Sequence, residues 1–150
     1  MSIENDISQK KFKSEYQRAI INLIYTYNWT TEQLKHVFEK ENLTMQQFNI
    51  LRILRGSDVP LSTLQIRERM LDKMSDTSRI VDRLVIKGIA QKTICKKDKR
   101  LVDVTITDKG KHLLEQLDIH EIDFENVMKT LSESEAKTLN TLLDKIRNSN

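Results

Sequence analysis

One change of apolar period limits what this chain can fold into. Over most of its 150 residues, apolar side chains recur at three- and four-residue spacing, the repeat of one face of an α-helix. Only between Ile89 and Ile106 does the period shorten. Ile89 to Cys95 reads as a strand, and Val102-Asp103-Val104-Thr105-Ile106 alternates apolar and polar as a half-buried strand does. Lys96-Lys97-Asp98-Lys99-Arg100 between them is a charged tip, so the pair reads as a β-hairpin with a basic end. Three glycines and one proline argue against linker-rich, collagen-like and most all-β folds. Gly56, Gly88 and Gly110 are also too scattered to cradle a nucleotide phosphate. A chain of this length buries roughly 68–70% of its unfolded surface, so the expectation is one domain over 1–150, mainly α with a small hairpin.

Helix boundaries follow from caps. From about Phe12 to Phe38 the pattern predicts one long amphipathic helix or two end to end, with Asn28-Trp29-Thr30-Thr31 marking the break. Thr44-Met45-Gln46-Gln47 has the form of a capping box, and the helix it opens should stop near Gly56, before a turn at Ser57-Asp58-Val59-Pro60. Ser62-Thr63-Leu64-Gln65 repeats the box and opens a short helix to about Met70. After a break at 71–74, Ser75 reads as the N-cap of a second helix ending at Gly88. In that second helix Ile80, Val81 and Leu84 form the inward stripe, and Asp76, Thr77, Arg79, Asp82, Arg83 and Lys87 are expected outward. Thr107 should cap one helix carrying Leu114, Leu117, Phe124, Met128 and Leu131. Ser132-Glu133-Ser134-Glu135 should cap a last one carrying Ala136, Leu139, Leu143 and Ile146.

Helix, two short helices and a basic-tipped hairpin make a winged helix-turn-helix over 44–106, in which the second short helix enters the DNA major groove. Charge agrees with this: residues 61–112 carry 13 basic and 7 acidic side chains, whereas 113–150 carry 4 and 8. A groove ~12 Å wide takes one helix, so Thr77, Ser78 and Arg79 are placed to reach base edges, Ser75 to meet phosphate, and Arg83 to reach backbone or base. The competing account of Arg79 and Arg83 is a surface pair with Asp76 or Asp82. Lys97, Lys99 and Arg100 belong to the wing tip, with Arg100 the natural cation for the adjacent minor groove. The segments 8–40 and 107–148 are surplus to the winged unit, and a two-fold dimer is the economical way to bury their apolar stripes.

Other features weigh less. The single Cys95 precludes an intramolecular disulfide and points to a reducing compartment, with the cytoplasm the default. The first residues have no apolar signal region, and no apolar run approaches ~18 residues, so secretion and membrane spanning are disfavoured. Tyr25, Trp29 and His36, with Tyr27, could line an aromatic-accepting pocket, although such a stripe more often serves core or dimer interface. His112, Glu115 and His120 lack a closing ligand set, and no nucleophile constellation is present. No catalytic residue, metal or cofactor is therefore expected.

The stretch Asp98-Lys99-Arg100, Ile106-Thr107 and Gly110 resembles the wing-to-helix signature of the MarR family of bacterial transcriptional regulators. Leu43 to Leu51 is similar to that family's second-helix segment. Val81-Asp82-Arg83-Leu84 through Gly88-Ile89 is similar to the end of its recognition helix. The resemblance implies a homodimeric repressor on a pseudo-palindromic promoter site, weakened by a small phenolic or aromatic ligand between its dimerisation and DNA-binding parts. It also implies that Asp98 orients Arg100. Where many members carry a second Arg between these two, this chain has Lys99, which keeps the charge but not the planar fork. The alternatives are a constitutive DNA-binding regulator, a helical scaffold whose basic face only solubilises it, or a metal-dependent hydrolase built on the histidines.

Overall fold

The computed structural model describes residues 2–94, 102–118 and 125–148. A short α1 (Ile3–Asp6) precedes α2 (Glu15–Lys40), which begins where the Ser14 side chain accepts from the Gln17 amide. α2 is continuous through Asn28-Trp29-Thr30-Thr31, so of the two readings of this segment the single long helix is the one that forms. The residues lack the one feature that would force a break, a proline, and the Thr31 hydroxyl is satisfied inside the helix on the Asn28 carbonyl at 2.8 Å. The chain then turns through Asn42, which takes a left-handed φ of 53°, into α3 (Met45–Arg55).

Both expected capping boxes form: Thr44 with Gln47 opens α3, and Ser62 with Gln65 opens α4 (Thr63–Arg69). α5 (Thr77–Ile86) follows. Gly88 closes it at φ +70°, a conformation that glycine adopts without Cβ strain. The hairpin is β2 (Ala90–Ile94) and β3 (Val102–Ile106), antiparallel with Ala90 opposite Ile106 and Ile94 opposite Val102. A third strand that the sequence pattern did not reveal, β1 (Leu61–Ser62), pairs with the other side of β3, giving the order β1-β3-β2. Two residues are too few to show an alternating period, and the same Ser62 is already read as a helix cap.

α6 (Asp108–Asp118) starts at Thr107, whose Oγ1 accepts from the Gly110 amide at 3.2 Å and donates to the Gly88 carbonyl at 2.8 Å. Gly110 is a point of close approach: an added Cβ would lie 2.2 Å from the Ile89 carbonyl oxygen. The single helix expected to run from Thr107 to Leu131 does not reach that far. Residues 127–130 are turns closed by bonds such as Leu131 N–H to the Met128 carbonyl at 2.9 Å. Ser132 then caps α7 (Glu133–Arg147), and its hydroxyl and backbone N–H hold the Glu135 carboxyl below its ordinary pKa.

The core lies among α3, α4, α5, β3 and α6, with Ile50, Leu51, Leu61, Ile66, Val81, Leu84, Val104, Leu114 and Leu117 almost wholly removed from water. α2 joins it only at its C-terminal end, through Val37 and Phe38, the latter 4.8 Å from the Phe48 ring. Further up α2, Tyr16, Ile20, Leu23, Ile24 and Tyr27 are exposed, Tyr16 at 85%. α7 buries no residue, and Leu142 and Ile146 are exposed on it.

Candidate nucleic-acid interface

The N-terminus of α5 is built differently from the sequence expectation. Asp76, not Ser75, is the N-cap, its Oδ1 accepting from the Arg79 amide at 3.1 Å. Asp and Ser are equally good caps, so spacing alone could not separate adjacent candidates. Ser75 is half-buried, and its hydroxyl donates to the Asp72 carbonyl at 2.8 Å and lies 3.4 Å from Met70 Sδ. Thr77 is a second correction. Expected outward against the bases, it is 4% exposed, with Oγ1 donating to the same sulfur at 3.4 Å. Thr77, Val81 and Leu84 stand at i, i+4 and i+7, one helical stripe, so the inward direction was in the spacing and its polarity concealed it. Both hydroxyls brace the turn between α4 and α5, which is further held by Asn49 Oδ1 accepting from the Leu71 amide at 3.0 Å.

The opposite face of α5 presents Ser78, Arg79, Asp82 and Arg83, all exposed. Among the described residues, neither arginine forms the ion pair of the competing account. Asp76 is engaged with backbone, and Asp82 Oδ1 receives Lys92 Nζ from β2. Among the described residues, the Arg79 and Arg83 guanidinium groups have no hydrogen-bond or ion-pair partner. They stand one turn apart, with their charge available to a polyanion. Lys87 departs from its expected outward position, since its ammonium turns beneath the helix end to the Asn42 carbonyl and to Gln47 Oε1 at 3.2 Å.

Lys92 ties the hairpin to α5, and Gln91 Nε2 donates to Thr105 Oγ1 across the strands at 3.0 Å. The wing-tip residues Lys97, Asp98, Lys99 and Arg100, and Cys95 with them, lie outside the described residues, as does His120.

Tyr25, Trp29 and His36 share one face of α2, and all three are exposed. None of them lines the cleft beside α3. That cleft, about 680 Å³, lies between α3, the end of α6 and the start of α7, and is lined by Phe48, Arg52, Leu117, Met128, Leu131 and Ala136 among others. Arg55 and Asp118 at its edge are paired at 2.6 Å, and Arg52 lies 5.8 Å above the Phe48 ring. Phe48 and Arg52 at i, i+4 on a capped helix were the available signal. Nothing local marks Asp118 as their neighbour. His112 and Glu115 meet at 3.3 Å on open surface. Among the described residues, no group of three or more His, Cys, Asp or Glu is placed to hold a metal ion, and no helix is long and apolar enough to cross a membrane.

Three helices, a strand-edged hairpin and an exposed basic face on the second short helix define a winged helix-turn-helix DNA-binding protein. Comparison with known proteins narrows the class. The chain is 31% identical to the MarR transcription factor of Planctomyces limnophilus, over 89% of this chain and 98% of that one, with a TM-score of 0.68. It is 28% identical over 116 residues to the HTH-type transcriptional regulator PecS of Dickeya dadantii (strain 3937), 75% of this chain and 70% of that protein. Its fold matches that of a cysteine-to-serine mutant of MarR from E. coli complexed with operator DNA, at a TM-score of 0.80 and 22% identity, covering 91% of this chain and 99% of that one. No family model matches the chain. The chain belongs to the MarR family of transcription regulators, and DNA binding in transcription regulation is its activity.

Proposed function

We propose that this protein is a homodimeric repressor that occupies a pseudo-palindromic promoter site and is released from it by a small organic ligand. The observation that carries the DNA-reading part is the pair of guanidinium groups of Arg79 and Arg83, unpartnered among the described residues, on the exposed face of α5. With Ser78 beside them they face the groove: Arg79 reads a base edge, and Arg83 reaches backbone or base. Arg100, oriented by Asp98 as the family resemblance implies, follows into the adjacent minor groove, with Lys97 and Lys99 adding phosphate contacts. In this reading 44–106 is the DNA-binding core.

The segments 8–40 and 107–148 form the dimerisation part. The support is the apolar surface left open on α2, from Tyr16 to Trp29, and on α7, at Leu142 and Ile146, which a second copy related by a two-fold axis would cover. Tyr25, Trp29 and His36 belong to that interface rather than to a ligand site. The ligand site is the cleft between α3 and α7, whose Phe48 and Leu117 suit an apolar ring and whose Arg52 and Lys129 suit an anionic group. The setting is cytoplasmic and the role is not catalytic; the similar proteins are transcription regulators.

Fluorescence anisotropy against the DNA upstream of the protein's own gene, with a scrambled duplex as control and two salt concentrations, tests the reading. Preference for the upstream duplex by orders of magnitude, with affinity falling steeply in salt, is the expected result. Equal, weak binding to both duplexes would favour a scaffold whose basic face only solubilises it. Light scattering on the same sample reads the dimer directly.

A further inference from the structure

The C-terminal end of α5 is fastened on two sides. Toward α6, Thr107 Oγ1 donates to the Gly88 carbonyl at 2.8 Å and Lys109 Nζ donates to the Lys87 carbonyl at 3.0 Å. Toward the corner between α2 and α3, the Lys87 ammonium donates to the Asn42 carbonyl and to Gln47 Oε1. Neither acceptor is incidental. Asn42 is the left-handed residue that turns the chain out of α2, and Gln47 is 5% exposed, its Oε1 also accepting the Thr44 amide within the α3 capping box. Lys87 is thus a half-buried cation in a strongly basic stretch that is spent on the protein rather than offered to solvent.

We propose that Lys87 is a positioning residue for DNA recognition, fixing the tilt of α5 against the α2–α3 corner so that Arg79 and Arg83 meet the groove in register. This rests on the reading of α5 as the recognition helix. The lever is long: α5 has ten residues, about 15 Å at ~1.5 Å rise, so a pivot of about 10° at Lys87 carries its far end roughly 2–3 Å. That exceeds the distance tolerance of a hydrogen bond to a base edge. α2 is also the helix whose open apolar face belongs to the dimer interface, so the same contact sets the separation of two reading heads.

The test uses duplexes that the wild-type protein selects from a random-sequence pool, titrated at two salt concentrations against scrambled DNA with wild type, Lys87→Met, Lys87→Arg and Arg79→Ala. Lys87→Met is expected to lose at least about tenfold in affinity for the selected duplex while keeping the scrambled affinity and the salt slope. In its own selection it should accept half-site spacings that the wild type rejects. Lys87→Arg, which retains a donor, should restore discrimination. A Lys87→Met protein that weakens on both duplexes equally, with a slope lower by about one, would be a lost phosphate contact and overturns the proposal. So does one that selects the same duplex with the same spacing and affinity as wild type. A wild type that selects nothing, or an Arg79→Ala variant with wild-type preference, marks failure of the recognition reading and takes the proposal down with it. Thermal melts check folding. Should Lys87→Met not fold, Gln47→Glu keeps the capping box and makes the contact an ion pair; it is expected to retain wild-type spacing, and relaxed spacing overturns the proposal.

Discussion

Arg55, in the last turn of α3, sets its two terminal nitrogens on the two carboxylate oxygens of Asp118 at the end of α6, at 2.6 and 3.1 Å, across 63 residues of chain. The pair stands at the edge of the cleft between α3 and α7 and joins the helix-turn-helix to an element of the proposed dimerisation part. It is partly solvated, with side chains 36% and 46% exposed, so its share of stability is about 0–1 kcal/mol. Asp118→Asn should therefore leave the denaturation midpoint nearly unchanged. Its expected effect is on ligand binding: Asp118 lines the cleft, so removing its negative charge should let small aromatic carboxylates bind more tightly by calorimetry. Equal affinity for wild type and variant would place the ligand's anionic group away from Asp118.

Asp82 separates Arg79 and Arg83 on the exposed face of α5 and engages Lys92. Asp82→Ala removes a negative charge from the face proposed to meet DNA and releases one cation of the wing. Affinity for scrambled DNA should rise, and the slope of log affinity against log salt should steepen by about 0.9, the value for one added phosphate contact. An unchanged slope would place Lys92 out of reach of the backbone.

Two arginines should fail in different ways. Arg79→Ala is expected to change which sequences are preferred, a loss of about 1–3 kcal/mol confined to one base-pair position in a mismatch panel. Arg100→Ala is expected to weaken binding strongly through the loss of the minor-groove insertion proposed for it. Affinity unchanged in Arg100→Ala would refute the wing's role, and a uniform loss across the panel for Arg79→Ala would make Arg79 a phosphate contact.

Gly110 lets α6 lie against the turn between α5 and β2. A Cβ at 2.2 Å from the Ile89 carbonyl and 2.8 Å from Ile106 Cγ1 has backbone on one side and core on the other, so neither yields cheaply. Gly110→Ala should cost about 1–3 kcal/mol by overpacking. At roughly 2–4 °C per kcal/mol for a domain this size, the melting temperature should fall by about 2–12 °C. A melt equal to wild type would mean that α6 can shift outward freely.

What the sequence determined by itself was everything settled within about one helical turn or one strand period. The three capping boxes at Thr44, Ser62 and Ser132, the stop at Gly88 and the two hairpin strands form where the spacing puts them, because each rests on bonds between residues at most four apart or on the side of a strand that faces the core. The winged helix-turn-helix and the exposed Ser78, Arg79 and Arg83 follow from those local rules. Tertiary structure alone decided the rest. The commitment of Lys87 to Gln47, of Asp82 to Lys92 and of Arg55 to Asp118, and the pairing of β1 with β3 each join residues brought together only when the core closes. A polar or charged side chain on a helix carries no local signal of whether its partner is water, a distant residue or DNA. Which one it meets depends on how the elements pack, and among the described residues that packing gives Arg79 and Arg83 no partner while Asp82 is held by Lys92 and Lys87 by Gln47.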